Sequence, residues 1–235
     1  MKWLRAPAKL PVGTRVYAIG DVHGCADKLR ALHDAIRADL KENPTSGASL
    51  VHLGDFIDRG PDSAGAIDLA MGFKACPVVN LRGNHEDTLL AALDGDGPSA
   101  TDWMYYGGGQ ALQSWGLDPF AQRDTWATGI PAPHIAFLRG LKLHHRVGPY
   151  LFVHAGIRPG VAFEDQSSED LLRIRGAFLD SEADHGMIVV HGHTPVRERE
   201  MDLRENRVNL DTGAVFGGPL TCGVFEEDRI GVITA

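Results

Sequence analysis

Along this chain, short apolar runs alternate with apolar residues at helical spacing. Val16, Tyr17, Ala18 and Ile19 form the first run and predict a strand over 16–20. Leu29, Leu32, Ile36 and Leu40 then recur at three- and four-residue steps, which predicts an amphipathic helix over 25–41. Asn43-Pro44-Thr45-Ser46-Gly47 closes that helix as a loop. A strand over 50–54, a turn at Gly60-Pro61-Asp62, a helix over 63–73, a strand over 77–81 and a helix from Glu86 to Asp94 follow. This β-α-β-α-β-α order predicts a layered α/β architecture. The C-terminal third differs. Strands near 150–154, 187–191, 207–211, 219–226 and 229–234 come with little helix between several of them. A mixed sheet, or two packed sheets, fits that texture better than one parallel sheet. Residues 1–14, punctuated by Pro7, Pro11 and Gly13, read as a lead-in. No repeat or linker breaks the pattern, so a single domain over 1–235 is expected.

Five apolar runs end in residues that bind metals, usually beside a glycine. They are Gly20-Asp21-Val22-His23-Gly24, Gly54-Asp55-Phe56-Ile57-Asp58-Arg59-Gly60, Gly83-Asn84-His85-Glu86, His154-Ala155-Gly156 and His191-Gly192-His193-Thr194. Open α/β sheets hold their chemistry at such strand ends. Asp21 and His23 are two apart, so in an extended segment they would point to one side. Asn84 and His85 are adjacent, so one can bind metal while the other faces substrate. Aspartate, asparagine and histidine without cysteine suit a metal that activates water, not a closed structural zinc.

The bulk numbers narrow the setting. The chain has 235 residues, 43% hydrophobic and 23% charged, with net charge -8. That is an ordinary globular composition, and the acidic balance lacks the basic footprint of a general nucleic-acid binder. Cys25, Cys76 and Cys222 are scattered and odd in number, compatible with a reducing compartment. No apolar run approaches the roughly 20 residues that span a membrane. The N-terminus lacks the apolar core of a signal peptide. A cytoplasmic protein is expected, with no nucleic-acid or membrane partner. Residues 95–135 break the strand rhythm and hold Trp103, Tyr105, Tyr106, Trp115 and Trp126 around Gly107-Gly108-Gly109. They read either as a small helical subdomain that packs its aromatics or as a cap over the cleft.

The five motifs, in this order, resemble the motif set of the phosphoprotein phosphatase branch of the calcineurin-like metallophosphoesterases. The likeness is strongest to the short bacterial and phage type, and bacterial diadenosine tetraphosphatases are similar. Trp103 through Gly116 and Asn209-Leu210-Asp211-Thr212-Gly213 extend it to almost the whole chain. The resemblance implies an αββα sandwich of two mixed sheets flanked by helices, in which residues 95–135 would be a small helical cap insertion. It implies two divalent metal ions, Mn²⁺ favoured over Fe or Zn²⁺. One would take Asp21, His23 and a bridging Asp55; the other would share Asp55 and add Asn84, His154 and His193. His191 is then a strand residue.

A metal-activated hydroxide would attack phosphorus in line. Arg59 would bind phosphate, His85 would protonate the leaving oxygen, and Asp58 would orient His85. Arg175 is the candidate second phosphate arginine, although Arg173 stands where the family often has tryptophan and Gly176 where it often has a polar residue. The leading expectation is a serine/threonine protein phosphatase. The alternative is a symmetrical dinucleoside polyphosphate hydrolase acting on diadenosine tetraphosphate, and the remote one a catalytically silent metal-binding scaffold. Asp58 favours the phosphatase, because the diadenosine tetraphosphatases tend to carry asparagine there.

Overall fold

Successive residues of a strand face opposite ways, so a strand buried on both faces serves two cores at once. Val16 and Ala18 belong to one apolar cluster, whereas Tyr17 and Ile19 belong to another. Val51 and Leu50 divide in the same way, as do Phe152 and Leu151, and Val190 and Val189. The shared inner cluster, with Leu53, Tyr150, Val208 and Phe225, lies between two sheets. The outer clusters lie between each sheet and its helices.

The protein is described by a computed structural model that covers residues 2–235. In chain order the elements are β1 (Trp3–Arg5), β2 (Thr14–Ile19), α1 (Ala26–Glu42), β3 (Gly47–His52), α2 (Ser63–Gly72), β4 (Val78–Asn80) and α3 (Asn84–Leu93). Next come α4 (Gly97–Trp103), a π-helical turn (Met104–Gly108), α5 (Gly109–Ser114), α6 (Arg123–Gly129) and α7 (Ala132–Arg139). The chain then forms β5 (His144–Val147), β6 (Tyr150–Val153), α8 (Ser168–Arg173), α9 (Gly176–Leu179), β7 (Ile188–His191), β8 (Asp202–Leu203), β9 (Arg207–Asn209), β10 (Thr221–Glu226) and β11 (Arg229–Thr234). One sheet runs β1-β11-β10-β2-β3-β4, the other β5-β6-β7-β9-β8. Both are mixed: β2, β3 and β4 are parallel, as are β6, β7 and β9, and their flanking strands are antiparallel. The two mixed sheets flanked by helices are those the resemblance implies.

The differences are at the edges. The lead-in supplies β1, which pairs with β11, and Leu10, which is buried between the sheets. Strands β5 and β8 lie at the two edges of the second sheet. They are short and partly exposed, so no apolar run marks them. No helix among the described residues is long and apolar enough to cross a membrane.

A buried histidine pair sits in the outer core beneath α1. His52 Nδ1 donates to Asn80 Oδ1 at 2.7 Å, which leaves its Nε2 as an acceptor for His33 Nε2, 3.0 Å away. His33 Nδ1 is then a buried acceptor without a partner. Burial pushes His33 down to about 3 and His52 down to about 4. Both stay neutral in the fold while the unfolded chain takes protons below about 6.5. Stability therefore falls as pH drops from about 6.5 towards 4, by at most about 1.4 kcal/mol per pH unit for each histidine. Urea midpoints over that range should fall less steeply for His33→Leu/His52→Leu than for the parent. Equal slopes would exclude the pair as a source of acid sensitivity.

Candidate metal centre

The C-terminal ends of β2, β3, β4, β6 and β7 deliver the site. Asp21 and His23 follow β2, Asp55 follows β3, Asn84 opens α3 after β4, His154 directly follows β6, and His193 follows β7. His23, Asp55, Asp58, Arg59 and His193 have φ of 43°, 50°, 74°, 67° and 65°, in the left-handed region that L-residues rarely enter. The segment from Asp21 to His23 is therefore not an extended strand, because His23 turns in the left-handed region.

The side chains converge as hydrogen-bond acceptors. His23 Nδ1 donates to Ile57 O and His154 Nδ1 to Leu53 O, each at 2.9 Å, so both Nε2 atoms present lone pairs. Metal-ligating histidines are oriented in this way by their second nitrogen. Asp55 Oδ2 lies 3.4 Å from His23 Nε2 and 3.5 Å from His154 Nε2, between the two. Asn84 Oδ1 faces His154 Nε2 at 3.1 Å, acceptor against acceptor. His193 Nε2 is buried without a hydrogen-bond partner. Potential ligand atoms of His23, Asp55 and His85 lie within 4.8 Å of one another, as do those of Asp55, His154 and His193. Acceptors gathered with so few donors fit a cation, and two groups sharing one carboxylate fit two.

Electrostatics agree with that use. Burial pushes His23 down to about 3 and His193 down to about 2, so both are neutral and able to ligate. Burial works to raise Asp55, but the histidines around it, His154 foremost, hold it well below the usual carboxylate range. His85 Nδ1 meets Asp58 Oδ2 at 2.7 Å. Burial acts to lower His85, and the Asp55 charge and the Asp58 hydrogen bond outweigh it, so its pKa is raised. Arg59 Nη1 donates to His23 Nε2 at 2.8 Å, which puts the guanidinium at the mouth of the cluster.

Asp21 lies beside the cluster. Its two carboxylate oxygens receive the His193 amide at 3.2 and 3.0 Å. A Cβ on Gly192 would sit 2.0 Å from Asp21 Oδ1, so only glycine permits that approach. Burial, followed by the charges of Asp211 and Asp55, raises Asp21 well above its ordinary value. Arg175 is exposed and bonds Thr194 Oγ1 at 3.1 Å, next to His193 in sequence. Arg173 is instead taken up by Asp87, Thr88 and Glu169. His191 is buried against Phe178 on the outer face of β7, as a strand residue.

Three residues of the site carried no assignment from sequence. Asp211 follows β9 as Asp21 follows β2, and the same strand-end signal marks it. Burial pushes it up to about 6 beside Asp21. Glu86 accepts the amides of Asp55, Phe56, Ile57 and Gly83 at 2.9, 2.7, 3.2 and 2.8 Å, tying two ligand loops together. Burial, then the Asp55 charge, push it up to about 8; bound cations would draw it back. Trp103 Nε1 donates to Asp58 Oδ1 at 3.0 Å, and nothing in the sequence distinguishes that indole from the others.

Two mixed sheets, a shared-carboxylate histidine cluster and a guanidinium at its mouth define a metallophosphoesterase, a hydrolase of phosphoesters. A family model described as calcineurin-like phosphoesterase matches residues 14–231, and the chain belongs to that family of binuclear metal enzymes. It is 33% identical over 224 residues to "Serine/threonine-protein phosphatase 1" of Salmonella typhimurium, covering 88% of this chain and 89% of that protein. It is 28% identical over 225 residues to the asymmetrical bis(5'-nucleosyl)-tetraphosphatase PrpE of Anoxybacillus flavithermus, covering 86% and 87%. A solved chain with a provisional diadenosine tetraphosphatase assignment superposes with a TM-score of 0.67 at 21% identity, covering 98% of each chain.

Proposed function

We propose that the chain is a two-metal phosphoric monoester hydrolase that acts on phosphoserine or phosphothreonine in proteins. The observation that carries the chemistry is Asp55 Oδ2 poised between His23 Nε2 and His154 Nε2. Asp21, His23 and Asp55 would hold one metal; Asp55, Asn84, His154 and His193 the other. Mn²⁺ is the favoured ion, since imidazole with carboxylate and amide oxygen suits it as well as Fe or Zn²⁺. When bound, the ions supply positive charge for the phosphate and acidify a water.

The remaining steps belong to the side chains. Arg59 grips phosphate oxygens with its planar fork and offsets charge in the transition state. Asp58 holds Nδ1–H of His85 and favours its protonated form, so Nε2 carries the proton for the leaving oxygen. Arg175 gives a second, outer guanidinium beside Thr194. The protein-phosphatase substrate is supported by the Asp58–His85 pair and by the Salmonella relative. Three free cysteines fit a reducing, cytoplasmic setting.

A second reading, dinucleoside polyphosphate hydrolysis, is favoured by exposed aromatics at the mouth. Tyr106 is 52% exposed and meets His85 at 6.4 Å between ring centroids; Phe216 is 54% exposed and lies 5.6 Å from the Arg59 guanidinium. Such faces stack on bases. With Mn²⁺ supplied, kcat/KM for a phosphothreonine peptide should exceed that for diadenosine tetraphosphate by at least about tenfold, a 1.4 kcal/mol difference in transition-state stabilisation. The reverse preference would replace the first reading with the second.

A further inference from the structure

The corner that carries Asp58 and Arg59 is held from outside by the segment from α4 through α5. Asp58 and Arg59 are consecutive residues with left-handed φ of 74° and 67°. Such a backbone is strained for a residue with a side chain and persists only where its surroundings fix it. Locally the corner has two hydrogen bonds, Asp58 N to Ser63 Oγ at 3.0 Å and Gly60 N to Asp58 O at 2.7 Å. Three more come from the segment. Trp103 Nε1 donates to Asp58 Oδ1 at 3.0 Å, Arg59 N donates to Gly107 O at 3.3 Å, and Ala64 N donates to Ser114 Oγ at 3.1 Å.

The contact is too close for a side chain at its centre. Gly107 has φ of 111°, and a Cβ there would lie 2.8 Å from Arg59 N and 2.9 Å from its Cγ. Trp103 is fully buried, its ring edge-on to Trp126 at 4.8 Å. Asp58 offers two oxygens, and each has one donor: Oδ2 takes His85 and Oδ1 takes Trp103. The indole therefore fixes the rotation of the carboxylate that aims His85.

We propose that Trp103 and Gly107 are positioning residues of the phosphoester reaction: Trp103 aligns the Asp58–His85 pair through Asp58 Oδ1, and Gly107 seats the backbone of Arg59. The segment is then part of the proton-donating and phosphate-gripping apparatus, in addition to packing its aromatics. The inference rests on the reading of His85 as proton donor.

The test uses Trp103→Phe, which removes the N–H and keeps an aromatic ring, with the metal-loaded protein. On a phosphothreonine peptide, kcat should fall about 10–100-fold with KM nearly unchanged; on p-nitrophenyl phosphate, whose leaving group needs little protonation, it should fall less than about threefold. In a His85→Asn background the same change should cost nothing more, because both act through one pair. Trp126→Phe, whose indole donates to Ala121 O instead, is the packing control and should lack this leaving-group pattern.

If His85→Asn itself shows no leaving-group dependence, the donor reading fails. If His85→Asn shows it and Trp103→Phe does not, or if the two effects add, the positioning role is overturned. Should Trp103→Phe not fold, Gly107→Ala decides. Its Cβ presses on Arg59, so the inhibition constant of inorganic phosphate should rise about tenfold, a 1.4 kcal/mol loss. An unchanged constant would overturn the proposal.

Discussion

Asp55→Asn should lose both metal ions at once, and kcat should fall by at least about three orders of magnitude, since metal charge stabilises the transition state by several kcal/mol. The reason is position. Asp55 Oδ2 lies between the Nε2 atoms of His23 and His154, and Oδ1 receives the His85 amide at 3.1 Å. An amide in its place offers one neutral acceptor and adds an N–H₂ group among lone pairs. Elemental analysis of the desalted variant is the direct check. Two tightly bound ions per chain would remove Asp55 as the shared ligand. A single remaining ion would say that only one group depends on it.

His85→Asn should leave metal content intact and reduce kcat on a phosphothreonine peptide by about 10²–10⁴-fold, the usual worth of a positioned acid. The neutral amide keeps a polar group near Asp58 but carries no transferable proton. The loss should shrink as the leaving group becomes more acidic, so a series of aryl phosphates gives the sharper measurement. Turnover equal to the parent on the poor leaving group would remove His85 as the acid. His85 lies within ligand distance of His23 and Asp55, so a fall in bound metal would assign it to ligation instead.

The sequence carried most of the strand-end chemistry, because a ligand after an apolar run is a local signal. Asp21, His23, Asp55, Asn84, His154 and His193 are all brought to the same edge of the two sheets. What it did not carry is pairwise and long-range. Trp103 reaches Asp58 across 45 positions, and Glu86 gathers amides from a loop about 30 positions away. No periodicity encodes such contacts. Asp211 was legible in principle, since its strand end repeats the pattern of the others. The edge strands β1, β5 and β8 were hidden for another reason: they are short and half-wet, so their register is set by their neighbours and leaves little hydrophobic trace. In the 95–135 region the aromatics divide between core and surface. Trp103 and Trp126 are buried in the outer core, whereas Tyr105 is 83% exposed.

Among the described residues, seven non-glycine residues have left-handed φ, and five of them stand at the site: His23, Asp55, Asp58, Arg59 and His193. At these places glycine would fit the backbone with less strain, whereas the reaction needs the side chains. Resistance to heat and turnover therefore pull these codons in opposite directions. A library of this protein selected only for thermal survival of the metal-free chain would be expected to drift towards glycine at those five positions and to lose its chemistry as it does. Metal in the selection medium would reverse that drift, because ions that bind only the folded site reward the strained backbone that presents their ligands.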